Sequence, residues 1–441
     1  LVAALLSGKK VLISTGTRNL QDQLYQRDLP LVRAAVDRPV TTALLKGRAN
    51  YLCRQRLEQT QRDGRFANRQ SAALLARIVD YASHTRGGDI AELKDVPEDS
   101  ELWPQVTSTA ENCLGGRCPA FQDCFVKRAR EQALAADVLV VNHHLFFADL
   151  ALREEGFGQL LPGVEAVIFD EAHQLPEVAA NFFGQRVSSR EIAGLVRDVQ
   201  VAETQERSGV EGLIERAHGA EKAAADLRLA FGVEPRRDAW SRVESPEVSR
   251  ALEAFKHALG QLSDALEAAA PKGEALANCY RRAASLSERV YWLSEGVPTE
   301  QVVWVETTAR GLSLNVTPLS VAPQFGAQVN GSDKAWVFTS ATLAVNGSFS
   351  HFQRTLGLEH ADTAQWDSPF DYANQGLLYL PKGLPDPSAP DYTVRVVDAA
   401  LPIIEASGGR AFFLFTSHRA LKVASELLAS RLSYTLLVQG S

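Results

Sequence analysis

The stretch Ala166-Val167-Ile168-Phe169-Asp170-Glu171-Ala172-His173 decides the fold. Four apolar residues with no polar interruption read as a strand buried on both faces, the pattern of a parallel α/β sheet. Two adjacent carboxylates follow at its end, on the carboxyl edge where open parallel sheets bind ligands. Asp170 and Glu171 suit a division of work: one carboxylate holds a hard cation through its waters, and the other orients and deprotonates an attacking water. Without context, the same pair also reads as an acidic loop exposed at a strand end.

Two more buried-type runs lie upstream. Val11-Leu12-Ile13 follows a short helix end at Leu1 to Leu6 and leads into Ser14-Thr15-Gly16-Thr17-Arg18, small hydroxyl residues and a Gly ahead of a helix beginning near Asn19. A closely approaching backbone with outward amides suits a phosphate; a capped helix start without a ligand is the alternative. Asp137 to Val141, after a helix over Glu131 to Ala136, ends in Asn142-His143-His144. That triplet reads as a contact surface on the same edge, because no acidic or Cys partner lies at metal-ligand spacing. Downstream, Ala335-Trp336-Val337-Phe338 ends in Thr339-Ser340-Ala341-Thr342, which puts hydroxyls beside the acidic pair if the strands are neighbours, or caps a following helix. After Tyr392 come a helix over Val394 to Ser407, a strand over Ala411 to Phe415, Thr416-Ser417-His418-Arg419, a helix to Leu432 and a strand from Thr435 to Val438. The pattern predicts an α/β protein with two parallel-sheet domains, the second cut short.

Other segments differ in character. Lys46 to Gln70 carries seven Lys or Arg against Glu58 and Asp63, with Tyr51 and Phe66 among them. Charge for phosphates and rings for bases is what a single-stranded nucleic acid channel uses, and a solvated helix face is the alternative. Cys53, Cys113, Cys118 and Cys124 follow, the last three as C-x4-C-x5-C around Gly115-Gly116 and Pro119. Four thiolates suit a [4Fe-4S] cluster or a structural zinc, although zinc sites favour tight C-x2-C pairs; unliganded core cysteines stay open as well. Cys279 reads as a small buried hydrophobe. Glu191 to about Glu295 is a helical insertion rich in Ala, Leu, Glu and Arg, Val302 to Glu306 returns to strand, and the connections before Ala335 and from Leu343 to Tyr392 read as irregular.

At 441 residues, 45% hydrophobic and 22% charged, the sequence is of the globular class with room for two to four domains, and it contains neither a membrane-spanning run nor a secretion signal. A net charge of -7 excludes a wholly basic nucleic-acid-binding surface, so any nucleic acid requires a local patch. The sequence has no Met and starts at Leu1. It is expected to be an internal part of a longer chain that has lost its methionines, with breaks around Gln324 to Ser332 and in the helical insertion.

In the order of its pieces, the sequence resembles the XPD-like iron-sulfur helicases of superfamily 2, in their DinG and YoaA branch. The pieces are a DNA-contact motif at Thr15 to Thr17, a four-Cys segment, the Asp-Glu-Ala-His box, a helical insertion, a Ser-Ala-Thr strand and a second motor domain. Wording such as Leu45-Lys46-Gly47-Arg48-Ala49-Asn50-Tyr51-Leu52-Cys53 and Trp366-Asp367-Ser368-Pro369-Phe370 looks like the YoaA type. The resemblance implies two RecA-like motor domains, the first (1–45, 131–190, 301–345) carrying an iron-sulfur domain (46–130) and a helical arch domain (191–300), the second covering 346–441. It implies an ATP-dependent helicase moving 5'-to-3' on single-stranded DNA and unwinding forked duplexes in DNA repair or replication-fork rescue. Replication or single-strand-binding proteins are its expected partners, in the bacterial cytoplasm at the nucleoid and away from the membrane.

Carried over residue by residue, Asp170 holds Mg2+ through water, Glu171 activates the hydrolytic water, and His173, Ser340 and Thr342 couple the nucleotide state to the strand. Cys53, Cys113, Cys118 and Cys124 bind a [4Fe-4S] cluster, and Thr15, Thr17, Arg48, Tyr51, Ser417 and Arg419 contact DNA. The Gly-rich loop for the ATP phosphates is expected before Leu1, and an arginine-bearing motif after Val438. A non-catalytic DNA-binding module that keeps the motor fold and the iron-sulfur centre is the competing expectation, against which the paired carboxylates speak.

Overall fold

A strand buried on both faces needs packing above and below it, and the first of two units, Leu1–Thr363, supplies that. The computed structural model describes residues 1–36, 39–64, 69–98, 100–154, 160–294, 300–309 and 311–439. Nine strands form among them: β1 (Val11–Thr15), β2 (Thr42–Leu44), β3 (Val138–Asn142), β4 (Ala166–Asp170), β5 (Gln185–Ser188), β6 (Arg236–Ala239), β7 (Gln301–Thr307), β8 (Leu312–Pro318) and β9 (Ala335–Thr339). Five make a parallel sheet in the order β2-β3-β1-β4-β9. Successive side chains alternate between its faces. Leu12, Leu139, Val141, Val167 and Phe169 enter one core, and Val11, Ile13, Val138 and Val140 another. Thr15 pairs with Asn142, and Asp170 with Thr339, so the strand ends that carry polar residues share one edge.

The cysteine segment lies between β2 and β3, with helices Arg54–Asp63, Arg69–His84 and Phe125–Ala135. Leu57, Ile78, Trp103 and Phe125 belong to the same buried cluster as Leu139 and Phe169. The segment is thus packed into the sheet's core and has no separate one.

Between β4 and β9, helices Ser189–Glu206, Leu213–Ala230, Pro246–Ala269 and Glu274–Ser294 build a second body with its own core. In the third of these helices Leu252, Phe255, Leu259, Leu262 and Leu266 recur at three- and four-residue spacing and are all buried, the mark of one apolar face. Ser188 and Glu191 form a capping box at the start of the first. The insertion is not purely helical: it contains an antiparallel sheet, β5-β8-β7-β6. The strand read at Val302 to Glu306 joins this sheet and not the parallel one. β5 and β6 escape a sequence reading because each is four residues long, arginine-bearing and without an apolar run.

Two stretches read as irregular are helical. Ala322–Asn330 begins with a Pro in its first turn, where no amide is needed, and buries Phe325 fully. A Cβ on Gly326 would lie 2.8 Å from the carbonyl oxygen of Gly357, so this helix closes on the turn that ends helix Ser350–Leu356. That second helix brings Phe352 to Phe338 of β9, with ring centroids 6.0 Å apart.

The second unit, Ala364–Ser441, pairs helices Tyr392–Ala406 and His418–Ala429 through Val397, Ile404, Ala424 and Leu428. The strands expected at Ala411 to Phe415 and Thr435 to Val438 do not form, and no strand occurs among the described residues of this unit. Phe412, Leu414 and Leu437 are 98%, 86% and 91% exposed. Both runs are β-type in composition, but neither forms a ladder among the described residues. No described helix of the chain is long and apolar enough to cross a membrane.

Candidate active site

At the end of β4 the chain turns sharply: Glu171 has φ 54, a left-handed conformation uncommon outside glycine, and a single 3-10 turn, Ala172–Gln174, leads into helix Leu175–Phe182. The register with β9 places Thr339 beside Asp170, whose Oδ1 accepts from Thr339 Oγ1 at 3.3 Å. One residue on, Ser340 Oγ donates to Glu171 Oε2 at 3.2 Å. His173 Nδ1 lies 2.8 Å from the same hydroxyl and 3.3 Å from Glu171 Oε2. The Thr342 amide donates to Ser340 Oγ at 3.2 Å. With its one proton given to Glu171, the serine oxygen accepts from His173 Nδ1–H and from Thr342, so the four residues close into one network. Burial, and then the Glu171 charge beside it, push the Asp170 carboxyl above its usual value. A divalent cation at this edge would reverse both effects, which fits a cation ligand.

Behind the edge lies a residue the sequence reading misplaced. His143, read as part of a contact surface, has no exposed surface, and its Nδ1 lies 2.7 Å from Ser14 Oγ. Burial lowers its pKa to about 4, with the backbone of Glu171 and Asp170 acting the other way, so the ring is neutral. Asn142 Oδ1 accepts the Leu145 amide at 2.9 Å, which leaves His144 as the exposed member of the triplet. Thr15 is buried and donates to the Thr17 carbonyl at 3.3 Å; Thr17 caps helix Arg18–Gln23 by accepting the Leu20 amide at 3.2 Å. Between them, Gly16 passes under Gln174, where a Cβ would lie 2.5 Å from Oε1. The β1 loop and the acidic turn are thus in close approach.

Cys53, Cys113, Cys118 and Cys124 line one cavity of about 440 Å³. Burial raises the Cys53 and Cys118 thiols, and the neighbouring thiols add to it. Among the described residues no group of three or more His, Cys, Asp or Glu is placed to hold a single metal ion. The sulfurs surround the space and do not converge on a point, unlike a tetrahedral zinc site. Six basic side chains line the cavity, Arg48, Arg56, Lys127, Arg130, Arg197 and Arg282, against Glu131 and Asp198. Such a lining suits several cysteine thiolates held close together. Cys279 is buried, and burial pushes its thiol up to about 12, in keeping with a small core residue.

ATP-dependent DNA helicase YoaA of Haemophilus influenzae is 40% identical over 442 residues, covering 100% of this chain and 69% of that protein. YoaA of Escherichia coli matches at the same identity and coverage. ATP-dependent helicase DinG of Mycobacterium tuberculosis is 31% identical over 475 residues, again 100% of this chain and 69% of the relative. The chain belongs to the YoaA and DinG helicase family. No family model matches it. The solved structure of S. tokodaii Xpd4 covers 79% of this chain and 57% of its own at 12% identity and a TM-score of 0.27, and carries no weight in the assignment.

Family membership directs attention to the basic segment, and here the structure corrects the sequence reading. Lys46 is 4% exposed and paired with Asp22 and Asp89 at 2.7 and 2.8 Å; burial lowers its pKa, but the two carboxylates outweigh that and leave it raised. Arg48 Nη1 donates to Cys113 Sγ at 2.9 Å. Arg54 lies over the Phe125 ring at 4.7 Å. Arg56 Nη1 pairs with Asp198 Oδ1 at 3.0 Å, and Arg282 with Asp198 Oδ2 at 2.7 Å, so one carboxylate joins the cysteine segment to the insertion. The Tyr51 ring is buried, and its hydroxyl accepts the Lys46 amide at 3.0 Å. As placed, Tyr51 offers no ring to a base, and four cations expected to face phosphates hold internal partners. Arg65 and Phe66 lie outside the described residues. In the second unit, Ser417 caps its helix by accepting the Ala420 amide at 3.2 Å, and Arg419 is exposed in the first turn.

Proposed function

We propose that this family member is the motor of an ATP-dependent DNA helicase that moves 5'-to-3' on single-stranded DNA and unwinds forked duplexes, in DNA repair or replication-fork rescue. The observation that carries the reading is the Glu171–Ser340–His173 network across β4 and β9. Asp170 and Glu171 stand where a parallel sheet presents ligands, Glu171 as the base that takes a proton from the attacking water, Asp170 as the cation ligand. Magnesium, when bound, neutralises charge on the phosphate oxygens. Ser340 and Thr342 hold the base from the neighbouring strand, so a shift of the β9 end alters the hold on Glu171; that is the coupling of hydrolysis to movement. Thr15, Thr17, Ser417 and Arg419 remain the proposed DNA contacts, with Arg48 and Tyr51 acting from behind the surface.

Cys53, Cys113, Cys118 and Cys124 are proposed to hold a [4Fe-4S] cluster, supported by their shared cavity and its basic lining. The proposed domains are a motor sheet at 1–45, 131–184 and 319–363, a cluster domain at 46–130, an arch at 185–318 that takes in β5, β7 and β8, and a second motor domain over 364–441. Replication or single-strand-binding proteins are the proposed partners, and the cytoplasm at the nucleoid the proposed location.

In the full-length protein, Glu171→Gln keeps shape and hydrogen bonding but removes the base, so ATP and DNA still bind while turnover and unwinding fall by two or more orders of magnitude, roughly the contribution of a positioned base. Retained turnover rules Glu171 out as the base. A wild-type protein that binds DNA without hydrolysing ATP points instead to a non-catalytic binding module.

A further inference from the structure

His143 follows β3 directly, and its ring lies tilted against Phe169 of β4 with centroids 5.7 Å apart. β1 lies between β3 and β4, so this side chain meets the two strands whose ends carry the Thr15–Thr17 loop and the acidic pair. Nδ1 sits 2.7 Å from the hydroxyl of Ser14, one residue ahead of Thr15. Nε2 is buried and has no hydrogen-bond partner. The backbone of Asp170 and Glu171 adjoins the ring.

A neutral imidazole carries one proton. With Ser14 Oγ–H donating to Nδ1, that proton is on Nε2 as an orphan donor. An orphan donor in a core is destabilising until it meets an acceptor, and it calls for an explanation. The acceptors at hand are backbone carbonyls at Glu171, where φ is 54 and the conformation needs support from its surroundings. These backbone groups act on the ring as acceptors do, against the effect of burial, without completing a hydrogen bond to Nε2.

We infer that His143 is a positioning residue: fixed on Ser14, it passes a displacement of the β1 end to the Asp170–Glu171 peptide by donating Nε2–H to a carbonyl there, and so sets Glu171 for hydrolysis when DNA engages the β1 loop. This rests on the reading of the acidic pair and the β1 loop under the proposed function. Neither the spacing of the box nor the DNA-contact motif includes His143.

The test is ATP turnover of the full-length protein with and without single-stranded oligothymidine. His143→Asn keeps an acceptor near Ser14 and cannot reach the acidic turn, whereas His143→Gln keeps a donor at the reach of Nε2. His143→Asn lowers the ratio of DNA-stimulated to DNA-free kcat about tenfold, the worth of one well-placed hydrogen bond, with KM for ATP within about twofold. Ser14→Ala shifts the ratio the same way, and His143→Gln recovers part of it. A purely structural role lowers both rates together and leaves the ratio in place. If His143→Asn does not fold, Ser14→Ala decides. A ratio unchanged in these variants, or the same loss in His143→Gln as in His143→Asn, overturns the inference while leaving the helicase reading intact. A wild-type protein whose turnover ignores DNA overturns the underlying reading, and the inference with it.

Discussion

Asp198→Asn is the most direct test of how the insertion is held to the cysteine segment. The carboxylate receives Arg56 and Arg282 at 3.0 and 2.7 Å, and the three side chains are 16%, 14% and 10% exposed. The Nε atoms of both arginines are buried without partners, so neither guanidinium has a second acceptor for that nitrogen. Breaking a buried ion pair by removing one partner costs about 3–5 kcal/mol, because the other charge stays behind uncompensated. Partial exposure places this site at the lower end, about 3 kcal/mol, even with two cations affected. At about 2 °C per kcal/mol for a large domain, the unfolding midpoint falls roughly 6 °C. Thermal and urea unfolding of the purified protein measure the shift. Replacing all three together, Arg56→Met, Asp198→Leu and Arg282→Met, restores most of the loss, since packed apolar groups replace a buried ion cluster without penalty. A midpoint within about 1 °C of wild type for Asp198→Asn, or a triple variant worse than the single one, refutes the reasoning that this carboxylate holds the two bodies together.

Cys118→Ser removes one of the four proposed ligands from a segment that shares its core with the motor sheet. Iron content, unwinding and DNA stimulation of ATPase are expected to fall together, and full unwinding by an iron-free variant refutes it. Gly326→Ala places a methyl 2.8 Å from the Gly357 carbonyl oxygen, a backbone contact that cannot swing aside; denaturant unfolding should show a loss of about 1–3 kcal/mol. His143 makes stability depend on pH. Its folded pKa of about 4 lies below the ordinary 6.5, so between those values the unfolded chain binds more protons than the folded one. The stabilisation is present above pH 6.5 and drains away as pH falls toward 4, about 3 kcal/mol in all. His143→Asn should flatten that slope in urea unfolding at pH 7, 6, 5 and 4, and an unchanged slope refutes the assignment.

The parallel sheet was legible because each of its long strands is an uninterrupted apolar run that ends in polar residues. The edge strand β2, three residues long, carries too little pattern to be read. Asp170, Glu171, Ser340 and Thr342 were readable from their position at strand ends, and His173 only through the family resemblance; the structure joins Glu171, His173, Ser340 and Thr342 in one network and sets Asp170 beside it on Thr339. What the sequence hid is who pairs with whom. Arg56 and Asp198 are far apart in the chain, so a basic run looked like a free surface when four of its cations, Lys46, Arg48, Arg54 and Arg56, already held internal partners. His143 was hidden for a related reason: a histidine after a strand has the same appearance whether it faces solvent or the core, and only the neighbouring Ser14 and Phe169 decide. Ala411 to Phe415 misled in the opposite direction, since β-type composition does not supply a partner strand.

The pairing of β5 with β8 also bears on how the chain folds. These are the first and last strands of the insertion, and they hydrogen-bond to each other from Gln185↔Val316 to Ser188↔Ser313. β4 and β9, which must meet side by side to build the acidic edge, are separated in sequence by that whole body. Closing a flexible loop of such length opposes folding and slows it, whereas an insertion already folded presents its two ends together. This topology favours an order in which the insertion, with its own core, forms first and the motor sheet closes afterwards, as if β4 and β9 were joined by a short link. Beyond the β5–β8 base, and apart from Asp198 and Arg282 that tie it to the cysteine segment, the insertion can lengthen, shorten or change sequence without disturbing the register at Asp170 and Thr339, so its outer part is free to diversify while the hydrolytic edge stays fixed.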